Sequence, residues 1–96
     1  MSDKGSILVI DDEPEICASL STLLRMEGYR ADTSQDAESG LKKLEQNPFD
    51  LVLLDISLPE RTQGLEVLRS IKRDSPEIPV IMITAYDSSE MAFAVS

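Results

Sequence analysis

The stretch Ile7-Leu8-Val9-Ile10-Asp11-Asp12-Glu13, near the start of the chain, decides the fold. Its apolar residues are continuous rather than alternating with polar ones, which is typical of a parallel strand covered on both faces. The same pattern recurs at 51–55, where Asp55 follows an apolar run, and at 80–84, where Thr84 follows another. The sequence therefore predicts three buried strands, each followed directly by polar residues at its carboxyl end.

Apolar residues with helical spacing lie in the segments between these strands. The three sets predicted to face the sheet are Ile16, Leu20, Leu23 and Leu24; Ala37, Leu41 and Leu44; and Leu65, Leu68 and Ile71. We expect a weaker strand at 29–33, with Gly28 ending the first helix, a break at Asn47-Pro48 and a loop at 59–64. The order β-α-β-α-β-α-β, followed by the start of a helix, predicts an α/β doubly wound parallel sheet. Such sheets bind ligands at the carboxyl ends of their strands.

Composition bounds the class of protein. With 96 residues, 42% of them hydrophobic, the chain is expected to form one packed domain. Its 18 acidic residues outnumber its 9 basic ones, so we expect no direct contact with nucleic acid. The apolar runs are too short for a signal peptide or a membrane span, which predicts a cytoplasmic protein without membrane contact. The one cysteine, Cys17, cannot form an internal disulfide and is expected to be a small core residue.

Three aspartates are predicted to meet at one edge of the sheet. Asp11, Asp12 and Asp55 follow the first and third strands, and no Lys, Arg or His adjoins either motif to balance their charges. Carboxylates together with waters suit Mg²⁺, so the cluster predicts a magnesium-assisted phosphoryl site. Thr84 would bring a hydroxyl to the same edge, although alone it could be an ordinary strand residue. Asp12 before Pro14 could also be a helix cap, but capping explains one aspartate rather than three.

These motifs resemble those of the receiver domain family of response regulators in two-component signalling. The matching segments, which follow one another across nearly the whole chain, are Ile10-Asp11-Asp12-Glu13, Leu54-Asp55-Ile56-Ser57-Leu58-Pro59, Gly64-Leu65 and Ile83-Thr84-Ala85. The resemblance implies a flavodoxin-like fold with strand order 2-1-3-4-5 and phosphorylation by a partner histidine kinase. The segment 78–86 is most similar to receivers attached to ATPase-type transcription activators, which implies an output domain on a longer chain.

The resemblance also implies a role for each residue at the site. Asp55 corresponds to the phosphoacceptor, and Asp12 and Asp55 correspond to direct ligands of an Mg²⁺ cofactor. Asp11 would hold the ion through water, and Ser57 would lend its backbone carbonyl. Thr84 corresponds to a switch hydroxyl that moves toward the phosphoryl group. The chain would then be a phosphoacceptor that changes conformation to control an output domain or partner, rather than an enzyme.

Two features depart from the family pattern. The segment from Asp55 to Gly64 is one residue longer than usual, which leaves its conformation open. The chain also stops at Ser96, inside what should be the fourth helix and before the family's fifth strand, its lysine and the fifth helix. We therefore expect 1–96 to be a receiver domain that is incomplete at its C-terminus. The strand at 80–83 would then have an exposed edge that could pair with another chain, for example in a homodimer.

Three other functions compete with this one. A magnesium-dependent phosphatase of the haloacid dehalogenase type requires a second aspartate two residues after its nucleophilic aspartate. If Asp55 is the nucleophile, that position is occupied by Ser57. A flavin or nucleotide site needs a loop rich in glycine, serine or threonine, whereas Asp11-Asp12-Glu13-Pro14 would repel a phosphate. A receiver-like interaction module that works without phosphorylation is the main alternative, because the chain as far as Ser96 lacks the family's lysine.

Overall fold

The computed structural model describes residues 4–55, 61–83 and 93–95, apart from the side chains of 61–63 and 93–95. Strands and helices alternate along the chain until the last two strands. In chain order they are β1 (Ser6–Ile10), α1 (Pro14–Met26), β2 (Arg30–Ser34), α2 (Ala37–Gln46), β3 (Leu51–Asp55), α3 (Arg61–Asp74), β4 (Val80–Ile83) and β5 (Phe93–Val95). The four strands and three helices predicted up to β4 are therefore confirmed.

The strands form one sheet in the order β2-β1-β3-β4-β5, and the first four strands in this order are mutually parallel. This confirms a doubly wound α/β sheet. The chain passes from β1 to β2 on one side and then returns to place β3 on the other side of β1. The winding direction thus reverses between β1 and β3, where Ile10 lies beside Leu54. Open α/β sheets bind ligands in the crevice at this point.

The main core lies between the sheet and helices α2 and α3. Its buried members on the three central strands and on α3 are Leu8, Ile10, Val52, Leu54, Val80, Met82, Val67 and Ile71. Helix α1 packs against β1 and β2 on the opposite face, where Ile7 and Val9 are buried. Because β1 is covered on both faces, its residues from Ile7 to Ile10 form a continuous apolar run instead of an alternating one.

The start of α3 differs from the predicted loop, which extended to Gly64. The helix already begins at Arg61, and Gly64 lies within it and is buried. Val67 and Ile71 are buried against the sheet, whereas Leu65, which was predicted to face the sheet, is 42% exposed. The spacing from Gly64 through Val67 to Ile71 forms one helical face. Burial of that face outweighs the helix-breaking tendency of a single glycine, which is about 1 kcal/mol.

Helix α1 agrees with its predicted face at three of four positions, because Ile16, Leu20 and Leu24 are half-buried. Cys17 and Ser21 are buried against the sheet, whereas Leu23, which was expected there, is 56% exposed. Small side chains at the inner positions allow the helix to lie close to the strands. Gly28 follows the helix with a φ of +100°, the left-handed conformation that favours glycine, as predicted for the residue that ends it.

Strand β5 was not predicted. The sequence suggested the start of a helix after β4 and an open edge along that strand, but Phe93–Val95 pair antiparallel with β4, and Ile83 lies beside Phe93. The helix prediction was therefore wrong for 93–95, while 84–92 lie outside the described residues. An edge strand offers hydrogen-bonding groups to an extended segment, and aromatic and β-branched residues suit a strand. Among the described strands, β5 takes the place that the resemblance assigns to a parallel fifth strand.

The outer edge of β2 is covered by two basic side chains. Arg25 of α1 donates a hydrogen bond from Nη2 to the carbonyl of Ala31 at 3.0 Å, and Lys43 of α2 donates from Nζ to the carbonyl of Thr33. Lys43 also forms an ion pair with Asp32 at 3.0 Å. Alternate carbonyls of an edge strand point away from the sheet, so the two helices cover these two carbonyls from opposite faces.

Gly40 sets the closest approach between α2 and the sheet. A Cβ atom at this position would lie 2.6 Å from Cδ1 of Ile10. We expect Gly40→Ala to lower the free energy of unfolding by about 1–3 kcal/mol, because the clash exceeds the gain in helix propensity. Urea unfolding followed by circular dichroism measures this change. Ile10→Val removes Cδ1, so the same alanine should cost less in that background, and an equal loss in both backgrounds would contradict the contact.

Candidate metal-binding site

Three aspartates meet at the carboxyl ends of β1 and β3. Asp11 directly follows β1, Asp12 is the next residue, and Asp55 is the last residue of β3. Each offers one carboxylate oxygen, and these three oxygens lie within 4.8 Å of one another. Asp11 and Asp55 are each 4% exposed, whereas Asp12 is half-buried. The prediction that these three side chains share one edge of the sheet is confirmed.

Hydrogen bonds fix the turn from β1 into α1. The backbone N–H of Asp11 donates to the carbonyl of Ser34 on β2 at 3.0 Å. The backbone N–H of Glu13 donates to Oδ1 of Asp11 at 2.9 Å. Glu13 is the cap residue of α1, its side chain makes no capping hydrogen bond, and Pro14 occupies the first turn. Asp12 is therefore not the helix cap, so the alternative reading of this residue is wrong.

The carboxyl group of Asp11 lies where a negative charge is unfavourable. Its pKa is raised from 3.8 to about 6, chiefly by burial and also by the negative charges of Asp55, Asp12 and Glu13. The hydrogen bond from the Glu13 backbone acts in the opposite direction and lowers the pKa. A cation bound between the carboxylates would relieve both the burial of charge and the repulsion.

The three carboxylates fit a small divalent cation that prefers oxygen ligands. Oxygens within 4.8 Å of one another can bind to one ion. Mg²⁺ is usually held by one or two carboxylates together with waters, which leaves coordination positions for the oxygens of a phosphate group. The cluster could therefore hold such an ion and bring a phosphoryl group next to Asp55.

Two of the predicted site residues lie outside the described residues. These are Ser57, which comes two residues after β3 ends, and Thr84, which directly follows β4. Ile83, the residue before Thr84, is the register partner of Asp55. The roles of Ser57 as a metal ligand and of Thr84 as a switch hydroxyl stay predictions.

Cys17 reaches the acidic turn from α1, which the sequence did not indicate. The residue is buried, as predicted for a small core residue. Its Sγ lies 3.3 Å from the carbonyl oxygen of Asp11 and 3.9 Å from that of Ser34. Helical side chains point toward the N-terminus of their helix, so a residue near the start of α1 can reach back to the strand before it. Only this general rule could have revealed the contact.

Comparison with known proteins defines the class. Residues 7–96 match the family described as the response regulator receiver domain. The order of the parallel strands and the three aspartates at the switch point agree with that match. The chain belongs to the receiver domain family of two-component response regulators.

Individual relatives include regulators much longer than this chain. The chain is 43% identical over 89 residues to the nitrogen assimilation regulatory protein NtrX of Azorhizobium caulinodans. It is 43% identical over 90 residues to the transcriptional regulatory protein ZraR of Klebsiella oxytoca. These matches cover 92% and 94% of the chain and 20% of each relative. The chain thus spans about one fifth of the length of these curated relatives.

Solved structures share the fold. The response regulator protein TrrA of Thermotoga maritima, solved in complex with Mg²⁺-BeF, is 40% identical with a TM-score of 0.79, over 95% of this chain and 77% of that one. A CheY-like receiver domain protein from Methanospirillum hungatei JF-1 is 38% identical with a TM-score of 0.79, over 88% of this chain and 67% of that one.

Within the ranges described for this chain, no helix has the length and apolar character to cross a membrane.

The raised pKa of Asp11 predicts a pH-dependent difference in stability. An acid whose pKa is higher in the folded state binds more protons when folded. Its ionisation therefore lowers the free energy of unfolding as the pH rises from about 4 to about 6. We expect metal-free Asp11→Asn to be more stable than wild type by roughly 3 kcal/mol near neutral pH, with a difference close to zero at about pH 4.

Urea unfolding with a metal chelator present, at each pH, measures this difference. Asparagine keeps the Oδ1 acceptor for the N–H of Glu13, so the comparison isolates the charge. Glu38→Gln on the exposed side of α2 is the control and should change stability little at either pH. Equal stability of wild type and Asp11→Asn at neutral pH would show that ionisation of Asp11 does not destabilise the folded protein.

Proposed function

We propose that this chain is the phospho-accepting part of a two-component response regulator and takes a phosphoryl group onto Asp55 with the help of Mg²⁺. One observation carries the proposal: Asp11, Asp12 and Asp55 place their ligand oxygens within 4.8 Å at the switch point of the sheet. Membership of the receiver family supports it. The complex of TrrA with Mg²⁺-BeF supports the choice of metal, because that relative is 40% identical to the chain.

Four residues would hold the ion. In this proposal Asp12 and Asp55 bind Mg²⁺ directly, Asp11 binds it through a water molecule, and Ser57 contributes its backbone carbonyl. Bound there, Mg²⁺ supplies positive charge that offsets the carboxylates and the phosphoryl oxygens. Asp11 has a pKa raised to about 6, so a nearby cation would keep its carboxyl group ionised at lower pH.

Asp55 is the nucleophile of the proposed transfer. One oxygen of its carboxylate attacks the phosphorus of a phosphohistidine on a partner histidine kinase. The P–O bond forms as the P–N bond breaks, and the electron pair of that bond returns to the imidazole nitrogen. Because Asp55 ends β3 and is 4% exposed, the sheet restricts the orientation of its carboxylate and the access of water.

The proposed partners follow from the family and its relatives. A histidine kinase would be the phosphodonor. An output domain of the transcription-activator type would lie on a longer chain, since ZraR is a transcriptional regulatory protein of which the match covers 20%. The net charge of −9 favours an indirect effect on nucleic acid, through such an output domain, over direct contact. We place the protein in the cytoplasm and class it as a phosphoacceptor rather than an enzyme with a separate substrate.

Phosphorylation by a small phosphodonor tests the assignment of Asp55. With acetyl phosphate and Mg²⁺, the intact mass should increase by one phosphoryl group in wild type and stay unchanged in Asp55→Asn. Asparagine keeps the shape of the side chain but loses the charged nucleophilic oxygen. Asp74→Asn, on the exposed end of α3, is the matched control and should be labelled like wild type.

The same experiment separates the alternatives. A label that persists in Asp55→Asn would overturn the assignment of the acceptor. A folded wild-type protein that takes no label, with or without Mg²⁺, would instead favour a receiver-like interaction module that works without phosphorylation.

Thr84 is proposed to convert phosphorylation into a change of conformation. A hydrogen bond from its hydroxyl to a charged phosphoryl oxygen is worth about 1.5–3 kcal/mol, enough to change a two-state ratio roughly ten- to a hundredfold. Thr84→Ala should therefore still accept the phosphoryl group on Asp55 but remain mostly in the inactive conformation, whereas Thr84→Ser should keep most of the response. Chemical-shift changes along β4 on phosphorylation measure the switch. A full response in Thr84→Ala would show that Thr84 is only a strand residue.

A further inference from the structure

The thiol of Cys17 contacts the backbone of the acidic turn. Cys17 lies near the start of α1, is 3% exposed, and places Sγ 3.3 Å from the carbonyl oxygen of Asp11. The carbonyl oxygen of Ser34 on β2 is 3.9 Å from the same sulfur atom. A cysteine packed only for its volume needs no such contact with backbone acceptors. The contact places a hydrogen-bond donor on the turn that carries Asp11 and Asp12.

The Asp11 carbonyl belongs to the peptide unit that joins two of the proposed metal ligands. The rest of the turn is held on either side of this unit. Asp11 N–H donates to Ser34 at 3.0 Å, and the N–H of Glu13 donates to Oδ1 of Asp11 at 2.9 Å. The N–H of Cys17 donates to the carbonyl of Glu13 at 3.1 Å. The thiol adds a bond to the peptide unit between Asp11 and Asp12, and the orientation of that unit sets the direction in which the Asp12 carboxylate leaves the backbone.

We propose that Cys17 is a positioning residue for the metal and phosphoryl site: its S–H donates to the Asp11 carbonyl and holds the Asp11-Asp12 peptide so that both carboxylates point into the site. This inference rests on the proposed function of the cluster. A thiol of ordinary pKa, about 8.5, is protonated at neutral pH and can therefore act as a donor.

Serine and alanine at position 17 form a matched pair for the test. Both are smaller than cysteine and leave a similar space in the core, but serine keeps a hydroxyl donor and alanine has none. A purely structural role would give the two variants the same properties at the acidic turn. Cys17→Val fills the space without a donor and replaces Cys17→Ala in the comparison if the alanine variant does not fold.

The first measurement is amide hydrogen exchange in the metal-free protein. In Cys17→Ala the amides of Asp11 and Glu13 should exchange roughly two- to fivefold faster than in wild type, as expected for the loss of one weak hydrogen bond. Cys17→Ser should keep the wild-type rates. The amide of Arg30, bonded to the carbonyl of Gly5 at 2.8 Å at the opposite end of the sheet, should be unchanged in both variants.

The second measurement is the dissociation constant of Mg²⁺, from calorimetric titration. Cys17→Ala should bind Mg²⁺ roughly two- to fivefold more weakly than wild type, Cys17→Ser should bind it like wild type, and Asp12→Ala gives the level without a site. Equal behaviour of the serine and alanine variants in both measurements would overturn the positioning role. If wild type binds no Mg²⁺, the magnesium site of the proposed function is wrong. The exchange rates would still decide whether the Cys17 thiol orders the turn at Asp11 and Asp12.

Discussion

The parallel pairing of β1 with β3 brings two almost fully buried carboxylates to the same end of the sheet. An aspartate directly follows the apolar run of each strand, at Asp11 after β1 and at Asp55 in β3, so the pairing that buries the apolar residues also brings Asp11 and Asp55 together. Burial and the neighbouring negative charges favour the neutral form of the Asp11 carboxyl group and raise its pKa. The clustered negative charges therefore lower the free energy of unfolding and offset part of the stability that burial of the apolar core provides. A cation bound between the carboxylates would relieve this repulsion.

The surroundings of the cluster limit how far the carboxylates can move apart to reduce their mutual repulsion. The Asp11 side chain is tied to the backbone of Glu13, and Asp55 is part of a paired strand, so neither can turn freely toward solvent. Asp12 is less buried and stands in the turn between a strand and a helix. The arrangement combines two carboxylates of restricted orientation with one more accessible carboxylate, which suits an ion that exchanges ligands with water.

The sequence predicted most of this architecture because its signals are local. The strands from β1 to β4 and the acidic cluster follow from apolar runs and from the residues that end them. The predicted inner face of α2 is confirmed, since Ala37, Leu41 and Leu44 pack against the core, whereas the predicted faces of α1 and α3 are only partly right. In α1 the polar Ser21 is buried beside Cys17, whose burial was predicted, because close approach to the sheet favours small volume as well as apolar character. In α3 the buried face depends on Gly64, a residue that local propensity assigns to loops.

Strand β5 was missed for a different reason, because its pairing depends on the edge that the preceding strand β4 offers and not on its own three residues alone. The functional contact of Cys17 was missed because a thiol near a carbonyl is a tertiary relation. Neither Cys17 nor Asp11 carries a sequence signal for the other, since a single buried cysteine is compatible with many environments.

The two borders of the sheet are chemically unlike. On the β2 side, the outward carbonyls of Ala31 and Thr33 already accept hydrogen bonds from Arg25 and Lys43, so an incoming strand would first have to displace two cations. On the β4 side an added strand is accommodated, as β5 demonstrates. The two borders of the sheet therefore differ in how readily they accept another strand. Side chains from the helices cover carbonyls at the β2 border, whereas a strand has been added at the β4 border.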